Sequence, residues 1–435
     1  MKPVIVQLPF PSQIDPDPVL NQYYRSYSSY YASILPSFKL RDGDLWEAPL
    51  WVAHLDAAIG RDDTEFKDLS LSAADCEACC QRLVEGQTTP ALYLFSPLAQ
   101  NFDLAMDVSE RLIGLGHRTV LGGNMVGLER PGSFSTVYSG HARRGFLQAL
   151  VPGQSGVSPR RGLQPADFGY RPNYRHLSRF ADRVPLIRIN ASHGCLFTCS
   201  FCGDAWSRQL HVVPADDLAL EFEDIAKFFP RIRMIYVGDK TFGQSKDAVT
   251  NLIAARPRGN FDFIVQTHVQ TMSDWLIDRM EELGVRVVEM GFETADSMVL
   301  RQVRKRNEVE HYLEWIERLD ARGIHVILNL LGGLPHSTEI GHLKTMTFLD
   351  HASKHTRLYN LYNFVPYPKT PIFATLRPRI ADWNFANWRE DRPVVFTPYH
   401  QTSAGLWDQF LDMVSRCDVL VRERIDREQP EVRRA

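Results

Sequence analysis

Three cysteines lie within eight residues, and their spacing constrains the chain more than any other feature. Cys195, Cys199 and Cys202 follow an apolar, β-branched run at Val184–Asn190, so we expect them on a loop at the end of a strand. Three thiolates this close can bind three irons of a cubane iron–sulfur cluster and leave the fourth iron without a protein ligand. That open iron can bind a substrate or a cofactor.

Two other interpretations of the thiols stay open. A structural zinc site normally has four ligands, and His193 could complete such a set. A disulfide would use two of the thiols, but it belongs to an oxidising compartment. The segment Met1–Val6 reads as a strand rather than a signal peptide, and no apolar stretch reaches the about 20 residues of a membrane helix. We therefore expect a cytoplasmic, reducing location and no membrane partner.

The spacing of three and then two residues, with Phe201 directly before the last cysteine, resembles the cluster motif of the radical S-adenosylmethionine (SAM) superfamily. The resemblance implies a [4Fe–4S] cluster on Cys195, Cys199 and Cys202, with SAM chelating the fourth iron and Phe201 among the SAM contacts. It also implies reductive cleavage of SAM to a 5′-deoxyadenosyl radical. The electron would come from an external flavodoxin- or ferredoxin-like donor.

The composition limits the class of protein and its partners but does not indicate a function. The 435 residues are 44% hydrophobic and 23% charged, which suits a globular protein of two or three domains. The net charge of −3 gives no electrostatic reason to expect a nucleic-acid partner. Cys76, Cys79 and Cys80 lie at helical spacing, where packing is favoured over a second metal site, and Cys417 is expected in the core.

In residues 1–150 short apolar runs alternate with amphipathic segments. This pattern predicts a Rossmann-like α/β unit with a parallel sheet. Five tyrosines between Asn21 and Tyr31 are expected to pack an interface, with a cofactor pocket as the alternative. The predicted strands are Val4–Gln7, Ala91–Phe95 and Thr119–Leu121, and Phe102–Leu115 is a predicted helix.

Two loops directly follow strands of this unit, where parallel sheets bind their ligands. Ser96-Pro97-Leu98 and the pair Gly122-Gly123 resemble loops of the cobalamin-binding domain, and Ser139-Gly140-His141 falls where that family has a further glycine loop. The resemblance implies cobalamin contacts at Ser96, Leu98, Gly122, Gly123 and Gly140. The histidine motif that ligates cobalt in some relatives is absent from Phe66–Ser70, so no axial histidine is expected from there. Ordinary flavodoxin-like turns, in a vestigial domain, are the alternative.

Residues 151–183 read as a linker rich in Pro, Gly and Arg. From 184 to 372 strands and helices alternate, with too few repeats for a closed eight-stranded barrel. This pattern is similar to the open (β/α)6 partial barrel of the radical SAM superfamily. The predicted strands are Leu186–Asn190, Arg233–Val237, Phe261–Gln266, Arg286–Met290, His325–Leu330 and Tyr359–Phe364, with helices such as Asp216–Phe229 and Ser273–Leu283 between them.

The same resemblance implies SAM contacts at the carboxyl ends of these strands. They are Gly238 and Asp239 for the ammonium, Glu293 for the ribose, Asn329 in the turn after strand five, and the backbone at Phe364 beside the adenine. The structural alternatives are a common turn pair at Gly238-Asp239, a helix cap or a salt bridge at Glu293, and a proline-rich strand exit after Phe364. Two residues depart from the family pattern: His336 replaces a glycine and His268 stands where related chains often have arginine.

Residues 373–435 lose the repeat and form a C-terminal extension with a predicted helix at Leu406–Val421. We expect either plain packing or closure of the open side of the barrel around a substrate pocket. The favoured function is a cobalamin-dependent radical SAM methyltransferase acting on an unactivated carbon of a natural-product-type small molecule. The alternatives are a radical SAM enzyme without methyl transfer and a non-catalytic metal-binding protein.

Overall fold

The computed structural model describes residues 1–9, 17–41, 44–72, 75–140, 142, 146–150, 156–157, 171–203, 208–257, 259, 261–305 and 307–428. The strands and helices given below lie within these ranges. His141, most of the predicted linker and the last seven residues lie outside them.

The N-terminal unit has a six-stranded sheet in the order β2-β1-β3-β4-β5-β6, and its parallel α/β architecture is the one that the sequence predicted. Its strands are β1 (Lys2–Gln7), β2 (Glu65–Asp68), β3 (Ala91–Phe95), β4 (Arg118–Leu121), β5 (Thr136–Ser139) and β6 (Gly156–Val157). Its helices are α1 (Pro18–Ile34), α2 (Leu50–Ile59), α3 (Cys76–Val84) and α4 (Phe102–Gly114). The last strand lies inside the predicted linker, so the first sheet extends past residue 150.

Strand β3 shows why this sheet is parallel and internal. All five of its residues are buried, with Tyr93 and Phe95 in one core and Leu92 and Leu94 in the other. A strand with both faces covered needs such a continuous apolar run. Cys79 and Cys80 of α3 are buried in the Tyr93 core, in agreement with the packing role predicted for them.

The second unit is a parallel six-stranded partial barrel in the order β14-β13-β12-β11-β10-β7, which confirms the predicted architecture. The strands from here on are β7 (Ile187–Ile189), β8 (Ser192–Gly194), β9 (Leu210–Val212), β10 (Met234–Val237), β11 (Asp262–Thr267), β12 (Val285–Glu293), β13 (His325–Gly332) and β14 (Thr356–Asn363). The helices are α5 (Ala215–Phe228), α6 (Lys246–Ala255), α7 (Asp274–Leu283), α8 (Ser297–Gln302), α9 (Val309–Ala321), α10 (Glu339–Ala352), α11 (Phe373–Leu376) and α12 (Ser403–Glu428).

Local sequence signals fix where the barrel helices start and stop. The Ser273 side chain accepts a hydrogen bond from the backbone of Leu276 and caps α7, which ends at Gly284 in the left-handed region at φ 90°. A serine cap and a left-handed glycine satisfy backbone groups that a helix leaves unpaired at its ends. The strand that follows therefore begins at a defined residue, and the side chains at its far end are placed accordingly.

The first helix forms part of the barrel wall. The Tyr23 hydroxyl donates to the carbonyl of Tyr359, and the Tyr27 hydroxyl donates to Asn360 Oδ1 at 2.9 Å, so α1 lies against the edge strand β14. At the opposite edge, Glu47 forms a parallel bridge with Leu186, just before β7. Helix α12 packs outside, against α1, β13 and β14. The sequence offered plain packing or closure for the C-terminal extension, but it is residues 17–41 and 44–48 that contact both edges of the barrel.

The C-terminal extension instead joins the two units. Trp388 is fully buried, and the Phe385 ring lies edge-on to Phe102 at 5.2 Å, beside the loop that follows β3. The carboxyl edge of the first sheet is thereby tied to the chain that leaves the barrel. Among the described helices, none is both long and apolar enough to cross a membrane.

Candidate functional site

The cysteine loop is held in place from both sides. The side chain of Gln244 accepts a hydrogen bond from the Leu196 backbone at 3.0 Å and donates to the Gly194 carbonyl at 3.3 Å. Further along, Ser200 donates its N–H to Val303 and accepts one from Ile372. These contacts connect the loop to the ends of three separate barrel segments, so its path is fixed before anything binds.

The three thiols share one environment. Cys195 is buried, Cys199 and Cys202 are partly buried, and none of the three is in a disulfide. Burial raises the pKa of Cys199 to about 12, while the nearby Lys305 ammonium acts in the opposite direction and Cys195 and Cys202 add to the rise. An iron ion favours the thiolate form far more strongly than any of these groups.

The donor set fits a cubane better than a single ion. Among the described residues, no set of three or more His, Cys, Asp or Glu side chains is gathered around one metal position. In a cubane each thiolate binds a different iron, so the sulfurs need not converge on one point. The ring of His193, which the zinc interpretation would require, lies against the rings of His54 and His211 at 5.7 and 6.2 Å.

Asp239 is a fixed acceptor inside the protein. Its carboxylate accepts hydrogen bonds from the backbones of Ala191 and Ser192 at 2.7 and 2.9 Å and from the Ser192 hydroxyl at 2.6 Å. Burial raises the pKa of Asp239 to about 6, although these donors favour the charged form. The side chain thus locks the turn that leads into the cysteine loop, and the SAM contact at this position stays a prediction.

Glu293 ends β12 in a conformation that a non-glycine residue rarely adopts, at φ 65°. Its Oε2 accepts a hydrogen bond from the Lys305 ammonium at 2.6 Å, and Lys305 also donates to the Gly291 carbonyl at 2.8 Å. A Cβ at position 291 would lie 2.9 Å from Lys305 Nζ, so glycine is required there for the pair to form. Left-handed backbone outside glycine is typical of functional sites.

His268 lies beside the cysteine loop. Its ring stacks on Phe197 with centroids 4.0 Å apart, and its Nδ1 accepts a hydrogen bond from the Gln270 backbone. Burial, followed by the charge of Lys305, lowers the pKa of His268 to about 3, so the ring is neutral. Since Nδ1 is an acceptor, the proton is on Nε2, which is buried without a hydrogen-bond partner among the described residues.

The remaining predicted SAM residues fall at the same end of the barrel but differ in what they offer. A Cβ on Gly238 would collide with Arg188 and Asn190, so close strand packing requires glycine. Asn329 Oδ1 accepts from Asn360 at 2.8 Å. The Phe364 side chain is buried against Phe396, which leaves only its backbone for the predicted adenine contact, and Phe201 is partly buried in the same core.

The predicted cobalamin residues form an open cradle at the carboxyl edge of the first sheet. Gly123 has φ 86°, and a Cβ there would lie 2.5 Å from the Ser96 hydroxyl, so the two loops are in direct contact. Ser96 and Leu98 are exposed. Gly140, at φ 125°, follows the next strand of the sheet. Small, exposed residues on three neighbouring strand ends fit a large flat cofactor whose atoms approach the backbone closely.

Sequence reasoning missed two parts of the site. Lys305 lies on a short turn after α8, and nothing in its local pattern distinguishes it from a surface lysine. The polar residues inside the barrel, such as Glu289 and Asn360, were within predicted strands but were not assigned a role. Their signal was available, because a polar residue in the middle of an otherwise apolar parallel strand has to face something other than a core.

Comparison with known proteins follows from this geometry. Residues 189–349, which include the three cysteines, match the family model of the radical SAM superfamily. This segment is a radical SAM domain. The superfamily suggested by the cysteine spacing is therefore confirmed.

The fold of the whole chain is similar to two solved structures. TsrM of Kitasatospora setae, a radical SAM methyltransferase solved with cobalamin and a [4Fe–4S] cluster, is 14% identical, with 87% of this chain and 75% of that chain covered at a TM-score of 0.60. TsrM has also been solved with a SAM analogue. OxsB, a cobalamin-dependent SAM radical enzyme, is 10% identical. The match covers 90% of this chain and 64% of OxsB, with a TM-score of 0.61. The predicted cofactors are thus those of proteins that share this two-domain fold.

One curated relative is more similar in sequence. An uncharacterized methyltransferase of Pyrococcus horikoshii is 24% identical over 258 residues, which cover 56% of this chain and 54% of the relative. The chain therefore spans about half the length of this relative.

Proposed function

We propose that this protein is a cobalamin-dependent radical SAM methyltransferase that acts on an unactivated carbon of a small molecule. The observation that carries the proposal is the pairing of two sites in one chain. A cysteine loop lies at the carboxyl edge of the partial barrel, and a glycine-lined cradle lies at the carboxyl edge of the first sheet. The C-terminal extension ties these two edges together through Phe102 and Phe385.

The chain's own residues would hold three groups. Cys195, Cys199 and Cys202 are the ligands we assign to a [4Fe–4S] cluster, and Ser96 with Gly123 lines the cradle for cobalamin. SAM would bind between the cluster and the strand ends at Gly238, Glu293 and Asn329. Bound together, these groups would supply an electron, a hydrogen-abstracting radical and a transferable methyl group.

Other residues would position rather than react. Asp239 fixes the turn before the cysteine loop through its three hydrogen bonds. Lys305 holds Glu293 in its left-handed conformation, and the neutral His268 presents an N–H donor beside Phe197. Each of these groups is already ordered by the protein, so little reorganisation accompanies binding.

Anaerobic reconstitution tests the proposal in stages. The full-length protein is loaded with iron, sulfide and cobalamin, and bound cobalamin is followed by its visible absorbance. SAM carrying a deuterated methyl group is then added with a flavodoxin or a chemical reductant, and mass spectrometry follows 5′-deoxyadenosine and the fate of the label. Uptake of both cofactors with label transfer supports the proposal.

Two outcomes would contradict it in different ways. Release of 5′-deoxyadenosine from protein that cannot be loaded with cobalamin would favour a radical SAM enzyme without methyl transfer. Failure to bind iron at all would favour a different metal-binding protein. The likeness to TsrM and OxsB favours the methyl-transfer version, because in both cases it extends across the first sheet as well as the barrel.

A further inference from the structure

The interior of the partial barrel is polar and open. Towards the carboxyl ends of the strands β7, β11, β12, β13 and β14, apolar residues that face outward are buried, whereas the alternate residues that face inward keep partial exposure. Filled barrels bury both sets, so this alternation indicates an interior that solvent reaches. The inward residues of intermediate or greater exposure are Arg188, Gln266, Glu289, Asn329, Asn360 and Tyr362.

Glu289 lies at the centre of this interior. Its Oε2 accepts a hydrogen bond from the Tyr236 hydroxyl at 2.8 Å, although β11 separates the two strands in the sheet. The contact therefore crosses the interior rather than running along the wall. The Arg188 guanidinium lies over the Tyr236 ring at 4.2 Å, and Asn360 reaches inward from the edge strand β14 to Asn329 and to Tyr27 of α1.

The charges in this layer do not balance. Arg188 pairs with Glu47 at 2.9 Å and also lies near Glu289, so two carboxylates share this one cation, and Glu390 adds a third carboxylate near Tyr362. Burial of its hydroxyl raises the pKa of Tyr362 on β14, and Glu289 and Glu390 raise it further. Burial raises the pKa of Glu289, and burial together with Asp391 raises that of Glu390. Among the described residues, no hydrogen bond or ion pair involves the Glu390 carboxylate.

An independent observation points to a missing partner. Tyr23, Tyr27 and Tyr31 lie four residues apart and so share one face of α1, the face that meets the barrel. Tyr31 stacks nearly parallel on Tyr27 at 5.6 Å and is 1% exposed, yet its hydroxyl has no hydrogen-bond partner among the described residues. Tyr27, on which Tyr31 stacks, reaches Asn360 inside the barrel, so the Tyr31 ring lies beside the same interior.

We propose that the barrel interior binds the protonated amino or guanidinium group of the substrate, with Glu289 as its counter-ion and the Tyr31 hydroxyl as an additional acceptor. This inference rests on the proposed function and names its substrate class. A cation would balance the excess of carboxylates over Arg188, and it would supply the N–H donor that the Tyr31 hydroxyl lacks. An anionic substrate would instead add to the existing repulsion.

Binding of a matched probe set tests the inference without any turnover. Full-length protein is titrated with 2-phenylethylamine, 2-phenylethanol and 3-phenylpropionate, and binding is measured by saturation-transfer NMR. We expect the amine to bind about tenfold more tightly than the alcohol and the acid to bind most weakly, which is the scale of one charge-assisted hydrogen bond. Equal binding of the three, or a preference for the acid, would overturn the proposal.

Two variants locate the site. Glu289→Gln should weaken amine binding about tenfold and leave alcohol binding unchanged, since only the charge is lost. Tyr31→Phe removes one oxygen that has no hydrogen-bond partner among the described residues, so the variant should keep the fold. Its affinity for the amine should fall by a few-fold. Glu223→Gln, the same change on the exposed face of α5, is the matched control. Unchanged amine binding in Glu289→Gln overturns the assignment even if cobalamin loading and SAM cleavage succeed.

Discussion

The Lys305 ammonium lies 2.6 Å from Glu293 Oε2, in a position where the two side chains are only 4% and 11% exposed. The pair connects the turn after α8 to the last residue of β12, directly beside Cys199. It holds Glu293 in a left-handed backbone conformation at φ 65°, which would otherwise cost about 1–3 kcal/mol.

Loss of the lysine should therefore destabilise the protein strongly. In Lys305→Met the Glu293 carboxylate is left buried without its cation, and such losses reduce the free energy of unfolding by about 3–5 kcal/mol. Urea unfolding monitored by circular dichroism measures the change. Arg416→Met breaks an exposed pair with Asp350 and should cost less than about 1 kcal/mol. Equal losses in the two variants would contradict the structural role of Lys305.

Cluster binding should depend on Cys199 and not on Cys76. Cys199→Ser is expected to reduce iron content after anaerobic reconstitution and to abolish 5′-deoxyadenosine release, because one corner of the cluster loses its thiolate. Cys76→Ser changes a partly buried cysteine of α3 in the first unit and should retain both. Iron analysis and chromatography of the nucleoside products measure the two effects. Full iron content in Cys199→Ser would contradict the ligand assignment.

The contact between the two cradle loops gives a test of cobalamin binding. In Gly123→Ala the new methyl group would lie 2.5 Å from the Ser96 hydroxyl, so the Ser96 side chain must turn away and the methyl group would occupy the cradle, and bound cobalamin should fall about tenfold or more. Gly116→Ala is the matched control, since its φ of 83° is similar to the 86° of Gly123 but nothing lies within 4 Å of the added Cβ. Both variants carry backbone strain, and only the first should lose the cobalamin absorbance.

Glu221 should make stability depend on pH. Burial raises the pKa of Glu221 to about 7, against a hydrogen bond from the Tyr174 hydroxyl at 2.6 Å that favours the charged form. The folded state therefore holds a proton that the unfolded chain releases near its ordinary pKa. This contribution is fully present below about pH 4.5 and is lost as the pH rises through 7, by at most about 3 kcal/mol.

Glu221→Gln isolates that contribution, because the amide still accepts a hydrogen bond from Tyr174 but does not titrate. The difference in unfolding free energy between wild type and variant, measured by urea unfolding from pH 4.5 to 8, should change steadily in favour of the variant. A difference that stays constant over this range would show that Glu221 has an ordinary pKa in the folded protein.

Local patterns were sufficient for most of the architecture. The predicted Ala91–Phe95 strand matches β3 residue for residue. A run of five apolar residues between polar segments is typical of a parallel strand that is buried on both faces. The cysteine loop could also be recognised from the sequence, because its proposed chemistry depends on the spacing of three cysteines within eight residues. Strand β12 was predicted to end at Met290 but extends to Glu293, because its pairing with β13 continues at Asn329 and Leu330.

Contacts between distant parts of the chain were beyond sequence reasoning. The closure of the barrel by α1 depends on Tyr27 meeting Asn360, a contact between residues 333 positions apart that no periodicity encodes. The Asp239 carboxylate was expected to face a ligand, and only the folded backbone at Ala191 and Ser192 shows that its oxygens are used internally. In both cases the deciding partner comes from another element.

The position of α1 in the barrel wall also has a consequence for biosynthesis. A ribosome releases the tyrosine face of this helix before any strand of the barrel, whereas the strand that receives it emerges only after more than 300 further residues. Until then the aromatic face lacks its native cover, and a chain truncated before β14 would keep it exposed. The last barrel strand to be synthesised is thus the one that finally secures the first helix.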